Sequence, residues 1–175
     1  MLLALALTLA HAATLAGVTL PDTATVGGTQ LSLNGMGLRE KYTIDVYVAG
    51  LYLRDRTHDG AAAIEADAPK RVVMRFVYRK VTKQQMIDTF REGFGDAADG
   101  PQKANVERLV AALPAEVFAG DEMVFDYVPG VGTTVTLQGR TLATVPGTEF
   151  MRMVFGTWLG PKPPSAALKA GMLGL

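Results

Sequence analysis

Tyr42-Thr43-Ile44-Asp45-Val46-Tyr47-Val48-Ala49-Gly50-Leu51-Tyr52-Leu53 is rich in β-branched and aromatic residues and alternates along its length. Side chains along a strand point to opposite faces in turn. The stretch is therefore expected to be a strand with Tyr42, Ile44, Val46, Val48 and Tyr52 on one face. Thr43, Asp45, Tyr47, Ala49 and Leu51 fall on the other. A second strand is expected over residues 71–79, its apolar face made of Val72, Met74, Phe76 and Tyr78.

The period then changes. Thr82-Lys83-Gln84-Gln85 has the form of a capping box, with Val81 and Met86 placed as a hydrophobic staple. Met86, Ile87, Phe90 and Phe94 recur at helical spacing, and Gly93 and Gly95 end that helix. A second helix is expected over residues 101–113, stopped by Pro114, with Val106, Leu109, Val110 and Leu113 as its buried stripe. Beyond it, residues 123–128, 133–137 and 141–145 read as an antiparallel meander, turned at Pro129–Gly132 and at Gln138-Gly139. Residues 149–159 read as a helix, and Ser165 caps a last short one to Met172. Upstream, residues 21–30 read as loop with short extended pieces, Asn34-Gly35 as a turn, and residues 61–66 as one helical turn. Strands outnumber helices without regular alternation, so the class is α+β in one domain.

The chain has 175 residues with 17 basic and 17 acidic side chains, a balance that gives no sign of nucleic acid as a partner. It has no cysteine, which excludes disulfides, thiolate metal sites and cysteine nucleophiles. Its two histidines, His11 and His58, are too few for a multi-histidine metal centre, and no cofactor is expected.

Residues 2–10 carry no charge, and Ala10-His11-Ala12 fits the small-x-small pattern of a signal-peptidase site. The run is shorter than the about 20 apolar residues that span a bilayer. Residues 1–12 are thus expected to be a signal peptide and residues 13–175 the mature domain, periplasmic or secreted, without an integral membrane segment and monomeric.

No residue pattern by itself identifies an enzyme. The serines are Ser32 and the cap Ser165, and His58 sits in a charged turn, so no nucleophilic triad is apparent. The acidic pairs Asp121-Glu122 and Glu65/Asp67 fall in loops. Gly35-Met36-Gly37 reads as a short glycine turn and does not extend to a dinucleotide fingerprint, since Glu40 stands where its last glycine would be. Arg39, between that turn and the long strand, is a candidate fixed cation at a cavity mouth. Tyr47 and Thr157 are polar groups on largely apolar elements.

Five strings, residues 31–39, 41–53, 125–135, 145–150 and 157–163, together resemble the bacterial chalcone isomerase-like family. The resemblance implies an open-faced β-sandwich, a large antiparallel sheet covered on one face by helices around an apolar cleft. In the plant enzymes of this family an arginine orients the substrate, and a threonine and a tyrosine stabilise a developing enolate. An asparagine and a threonine or serine hold the far phenol. Carried over by the resemblance, the arginine corresponds to Arg39, the first threonine to Tyr47 and the last hydroxyl to Thr157. The tyrosine position holds Met86 in Gln84-Gln85-Met86, and the asparagine position holds Gly93.

Met86 cannot donate a hydrogen bond to an enolate, and one lost donor of that kind costs about 3–4 kcal/mol of transition-state stabilisation. The expectation is a noncatalytic member that binds a small amphipathic or phenolic ligand, a fatty acid among the candidates, through Arg39, Tyr47, Met86, Phe90 and Thr157. One alternative is an isomerase or lyase of phenolic enones that uses Arg39, Tyr47 and Thr157. The other is a partner-binding module with a vestigial cleft.

Overall fold

The structure is a computed structural model and describes residues 12–175. The expected leader, residues 1–12, lies outside the described residues except for Ala12. The strands are β1 (Ala12–Leu15), β2 (Val18–Pro21), β3 (Thr23–Val26), β4 (Thr29–Lys41), β5 (Ile44–Leu53), β6 (Lys70–Phe76), β7 (Lys80–Thr82), β8 (Glu116–Phe118), β9 (Glu122–Val128), β10 (Gly132–Leu137) and β11 (Arg140–Val145). The helices are α1 (Gly60–Glu65), α2 (Lys83–Phe94), α3 (Lys103–Ala112), α4 (Thr148–Leu159) and α5 (Ala166–Met172), with a 3-10 turn at Gly95–Ala98.

Seven strands form one antiparallel sheet in the order β11-β10-β9-β6-β5-β4-β3. The helices cover one face, and the short β1–β2 hairpin covers part of the other. This is the expected α+β, open-faced architecture. The helix-covered core takes Tyr47, Ala49, Leu51, Val72, Met74, Phe76, Met123 and Phe125 from the sheet. The hairpin side takes Val48, Tyr52, Val73 and Val124, packed with Val18 and Leu20. The alternation read in β5, β6 and β9 thus sorts residues between two apolar layers rather than between core and water. The strand face that reads as more polar, with Tyr47, Ala49 and Leu51, is the one under the helices.

Three sequence expectations about the β4–β5 region need correction. Asn34-Gly35 is not a turn: β4 runs unbroken for 13 residues, and Asn34 is the extra residue of a bulge between the Leu33–Tyr52 and Gly35–Leu51 pairs. Its side chain bridges distant segments, donating to the carbonyls of Thr57 and Met172 and accepting from Thr57 N. Gly35-Met36-Gly37 is strand, not a glycine turn. A Cβ on Gly35 would lie 2.2 Å from the Gly171 carbonyl oxygen, and one on Gly37 2.2 Å from that of Leu168, so the two glycines form the floor on which α5 rests. Finally, Tyr42-Thr43 is the turn between β4 and β5 rather than the start of the strand.

The helix starts follow their caps. Thr82 Oγ1 accepts from Gln85 N at 3.3 Å and Gln85 Oε1 accepts from Thr82 N at 2.9 Å, the reciprocal pair of a capping box. Ser165 Oγ accepts from Leu168 N at 3.1 Å at the head of α5. The second helix begins at Lys103, not at Pro101, after the 3-10 turn. The β7–β8 pair that brackets α2 and α3 was not apparent from the sequence, because strands of three residues show no period.

Candidate functional site

The apolar stripe of α2 (Met86, Phe90, Phe94) faces the sheet beside α4, which buries Thr157 and Trp158. Between them, at the end of the sheet where Tyr47 pairs with Phe76, lies a small cavity. Tyr47, Met86, Phe90, Thr157 and Trp158 line it, together with Met74 and Met123 from the sheet and Val46 at the start of β5. Its volume is about 40 Å³, where one water needs roughly 10–15 Å³. The sequence-predicted set is therefore brought together except for Arg39, which does not line the cavity.

Arg39 is the cross-strand partner of Tyr47, so the two side chains share the helix-covered face. The guanidinium is half-buried, and its Nη1 donates to the carbonyls of Pro164 at 2.7 Å and Glu40 at 2.8 Å. The connection into α5 thus caps Arg39, one cross-strand step from the cavity.

Tyr47 is the polar centre of the site. Burial pushes its hydroxyl up to about 12, against opposing pulls from Trp158 and from the charge of Arg39, so it stays protonated at neutral pH. Trp158 Nε1, which can only donate, gives its hydrogen to the Tyr47 oxygen at 3.2 Å. The tyrosine's own proton has no acceptor among the described contacts. Thr157 is poorly placed as a donor, because its hydroxyl turns back to the Met153 carbonyl at 3.4 Å. Phe125, behind the cavity wall, stacks edge-on to the two lining rings Phe90 and Trp158, with centroids 5.7 and 5.3 Å away.

The positions where the resemblance puts a tyrosine and an asparagine can be compared directly. Met86 lines the cavity with a thioether. Gly93 lies against Thr157: a Cβ built there would be 2.5 Å from its Cγ2 and 3.0 Å from its Oγ1. Gly93 does not line the cavity; it is where α2 and α4 are in direct contact.

Sequence reasoning did not single out Trp158 as the residue that orients Tyr47, although it is the chain's one tryptophan and adjoins Thr157. It also missed Lys70, which is 1% exposed at the start of β6. Its Nζ donates to the Ala63 and Ile64 carbonyls at the end of α1, and lies 5.5 Å from the Phe155 ring centre. Burial pulls this amine down to about 8, opposed by Asp67 and Glu65. A lysine after Pro69, next to a charged turn, carries no sequence sign of burial. His58 holds the C-terminal segment, its Nδ1 lying 2.6 Å from the Leu173 carbonyl. Among the described residues no helix is long and apolar enough to cross a membrane.

A family model described as chalcone isomerase-like matches residues 12–174. Among solved structures, the chain is similar to a fatty-acid binding protein of Arabidopsis thaliana, with a TM-score of 0.76 and 16% identity over 93% of this chain and 96% of that one. No curated protein sequence matches the chain.

Proposed function

The chain belongs to the chalcone isomerase-like family, and on that premise we propose that it binds a small amphipathic molecule, its oxygen-bearing head at Tyr47 and Arg39 and its apolar part between the sheet and α2. A fatty acid is the simplest such molecule, in keeping with the similar plant protein. The observation that carries the reading is the Tyr47 hydroxyl: oriented by Trp158 and kept protonated by burial, it faces a sulfur- and aromatic-lined cavity with its proton unspent. A carboxylate or carbonyl oxygen is what such a donor lacks. Rotation of Arg39 off the Pro164 carbonyl would add a charge-assisted contact.

Small-molecule sites commonly measure about 300–1,000 Å³, so the cavity must widen to take an acyl chain. Met74, Met86 and Met123 suit that, because unbranched thioether side chains repack readily. An isomerase reading is weaker. Met86 supplies no donor, and Thr157 is turned to Met153, so among the side chains lining the cavity an enolate would have the Tyr47 proton alone. The proposal includes export, residues 1–12 being the leader.

Native mass spectrometry of protein purified from the periplasm tests the reading, followed by titration of stripped protein with fatty acids of graded length. A retained or saturably bound fatty acid is the expected result. An empty cleft that takes up none overturns it in favour of a vestigial cavity, and cyclisation of a chalcone above background would favour the isomerase.

A further inference from the structure

Four hairpins of the described chain turn in two residues: Ala16-Gly17, Gly27-Gly28, Tyr42-Thr43 and Gln138-Gly139. All four put both residues at positive φ, and three use glycine at the second position, as such turns require. Tyr42-Thr43 does not. Tyr42 sits at φ 57° and the β-branched Thr43 at φ 137°, a conformation costly for any residue with a Cβ. Neither residue is one that a two-residue turn of this kind favours.

The side chains at and beside this tip stand in water. Tyr42 is 85% exposed and Ile44 45% exposed, and Lys41 Nζ lies 6.0 Å from the Tyr42 ring centre. Ile44 is only two residues from Val46, which lines the cavity. The adjoining turn after β6 is tied to the same place, because Val77 N and Tyr78 N both donate to the Val46 carbonyl. An aromatic, an aliphatic and a lysine therefore project from the end of the molecule at which the cavity lies.

We propose that the β4–β5 hairpin tip, Lys41 to Ile44, dips into the interfacial layer of a lipid membrane and sets the cavity end of the protein against it. Tyrosine and lysine are suited to that layer, each with an apolar body and a polar end. A second copy of the chain is a poorer occupant, since a stable protein interface needs about 800 Å² per partner and this tip offers two apolar side chains. Exposed Glu40 and Asp45 pair across the hairpin next to the Lys41–Ile44 pair, Arg79 follows Tyr78, and Lys80 is ion-paired with Glu116, so the acids and bases balance and the contact is apolar rather than charge-driven. Weak, reversible contact is what so small an insertion gives, and it suits delivery or collection of a lipid. The purpose rests on the ligand-binding reading, but the contact can be measured without it.

The chain has no cysteine, so one introduced at Thr43 carries a single environment-sensitive fluorophore. Val131, 55% exposed in the turn before β10, is the control, being an exposed apolar residue at the opposite end of the sheet. Vesicles of phosphatidylcholine, and of phosphatidylethanolamine with phosphatidylglycerol, should blue-shift the Thr43→Cys label but not the Val131→Cys label, equally at low and high salt. In unlabelled protein, Tyr42→Ser with Ile44→Ser should lower vesicle co-sedimentation about tenfold or more without changing the melting temperature. The proposal is overturned if wild type does not sediment with vesicles, if both labels respond alike, if high salt abolishes binding, or if the Thr43 label shifts with protein concentration in the absence of lipid. Fatty-acid uptake from lipid-free solution is measured in parallel: uptake without vesicle binding sinks the tip alone, and vesicle binding without uptake sinks the ligand reading alone.

Discussion

Gly93 and Thr157 touch where α2 crosses α4, and a side-chain carbon on Gly93 would come within 2.5 Å of the Thr157 methyl. Alanine for glycine inside a helix ordinarily gains up to about 1 kcal/mol. Here the clash reverses the sign, because a short β-branched side chain cannot swing away, and overpacking costs about 1–3 kcal/mol. Gly93→Ala should lower stability in denaturant melts, and less so in a Thr157→Ser background, where the methyl is gone. Equal effects in the two backgrounds would refute the contact.

Tyr47→Phe should remove the donated hydrogen bond and leave the packing of the ring against Phe76 intact. Affinity for a fatty acid should fall roughly tenfold, as one hydrogen bond to a charged group is worth about 1.5–3 kcal/mol. Arg39→Ala should weaken binding and, because it also removes the tether to the Pro164 carbonyl, lower the ligand-free melting temperature somewhat, and Arg39→Lys should recover only part of the binding, lacking the planar fork. Isothermal titration calorimetry reads all three, and unchanged affinity in Tyr47→Phe would remove Tyr47 from the site.

Lys70 makes stability depend on pH in a direction that can be stated. Its amine is held down at about 8 in the folded chain, against 10.5 for an ordinary lysine. Between those values the unfolded chain binds the extra proton, so stability rises with pH. Above pH 10 the trend reverses, because Tyr47 and Tyr52 hold their protons to about 12 when folded and lose them near 10 when unfolded. Lys70→Met should abolish the rise between pH 8 and 10 and keep the fall above it. A variant that retains the rise would assign it to another group.

Thr82→Ala should cost about 1 kcal/mol, since it leaves the Gln85 amide without its cap. Thr82→Ser should restore most of the loss. Chemical denaturation of the three proteins decides it.

Exported protein should begin at Ala13 or Thr14, as the Ala10-His11-Ala12 pattern requires. N-terminal sequencing of periplasmic material checks this, and an intact Met1 on cytoplasmic protein would refute it.

The strands with regular alternation, the capping box at Thr82 and the Gln138-Gly139 turn were legible because their causes are local. Asn34-Gly35 misled because its turn preference is overridden by partners far away, Thr57 and Met172, which no local window contains. By sequence, Tyr47 shares the more polar strand face with its neighbours Thr43 and Asp45. Those two lie at the exposed end of the hairpin, and a bulge between Arg39 and Glu40 breaks the register just before Tyr47 turns inward. The sequence places Arg39 at a cavity mouth, whereas in the fold it does not line the cavity. Its capping by Pro164 depends on where the proline-rich connection settles, which is a tertiary outcome.

Strand β3 ends its pairing with β4 at Ser32, so from Gly35 onward β4 has a sheet neighbour on one side only. An open edge of that length is a template on which another chain can add a strand. A bulge at Asn34 kinks it, and α5 lies over its glycine floor. That helix, residues 166–172, comes later in the chain than every described strand of the sheet. Until it docks, the longest strand of the molecule has both an unpaired edge and a bare glycine floor. The exposure of that strand to strand addition is thus governed by α5, the helix that shields it.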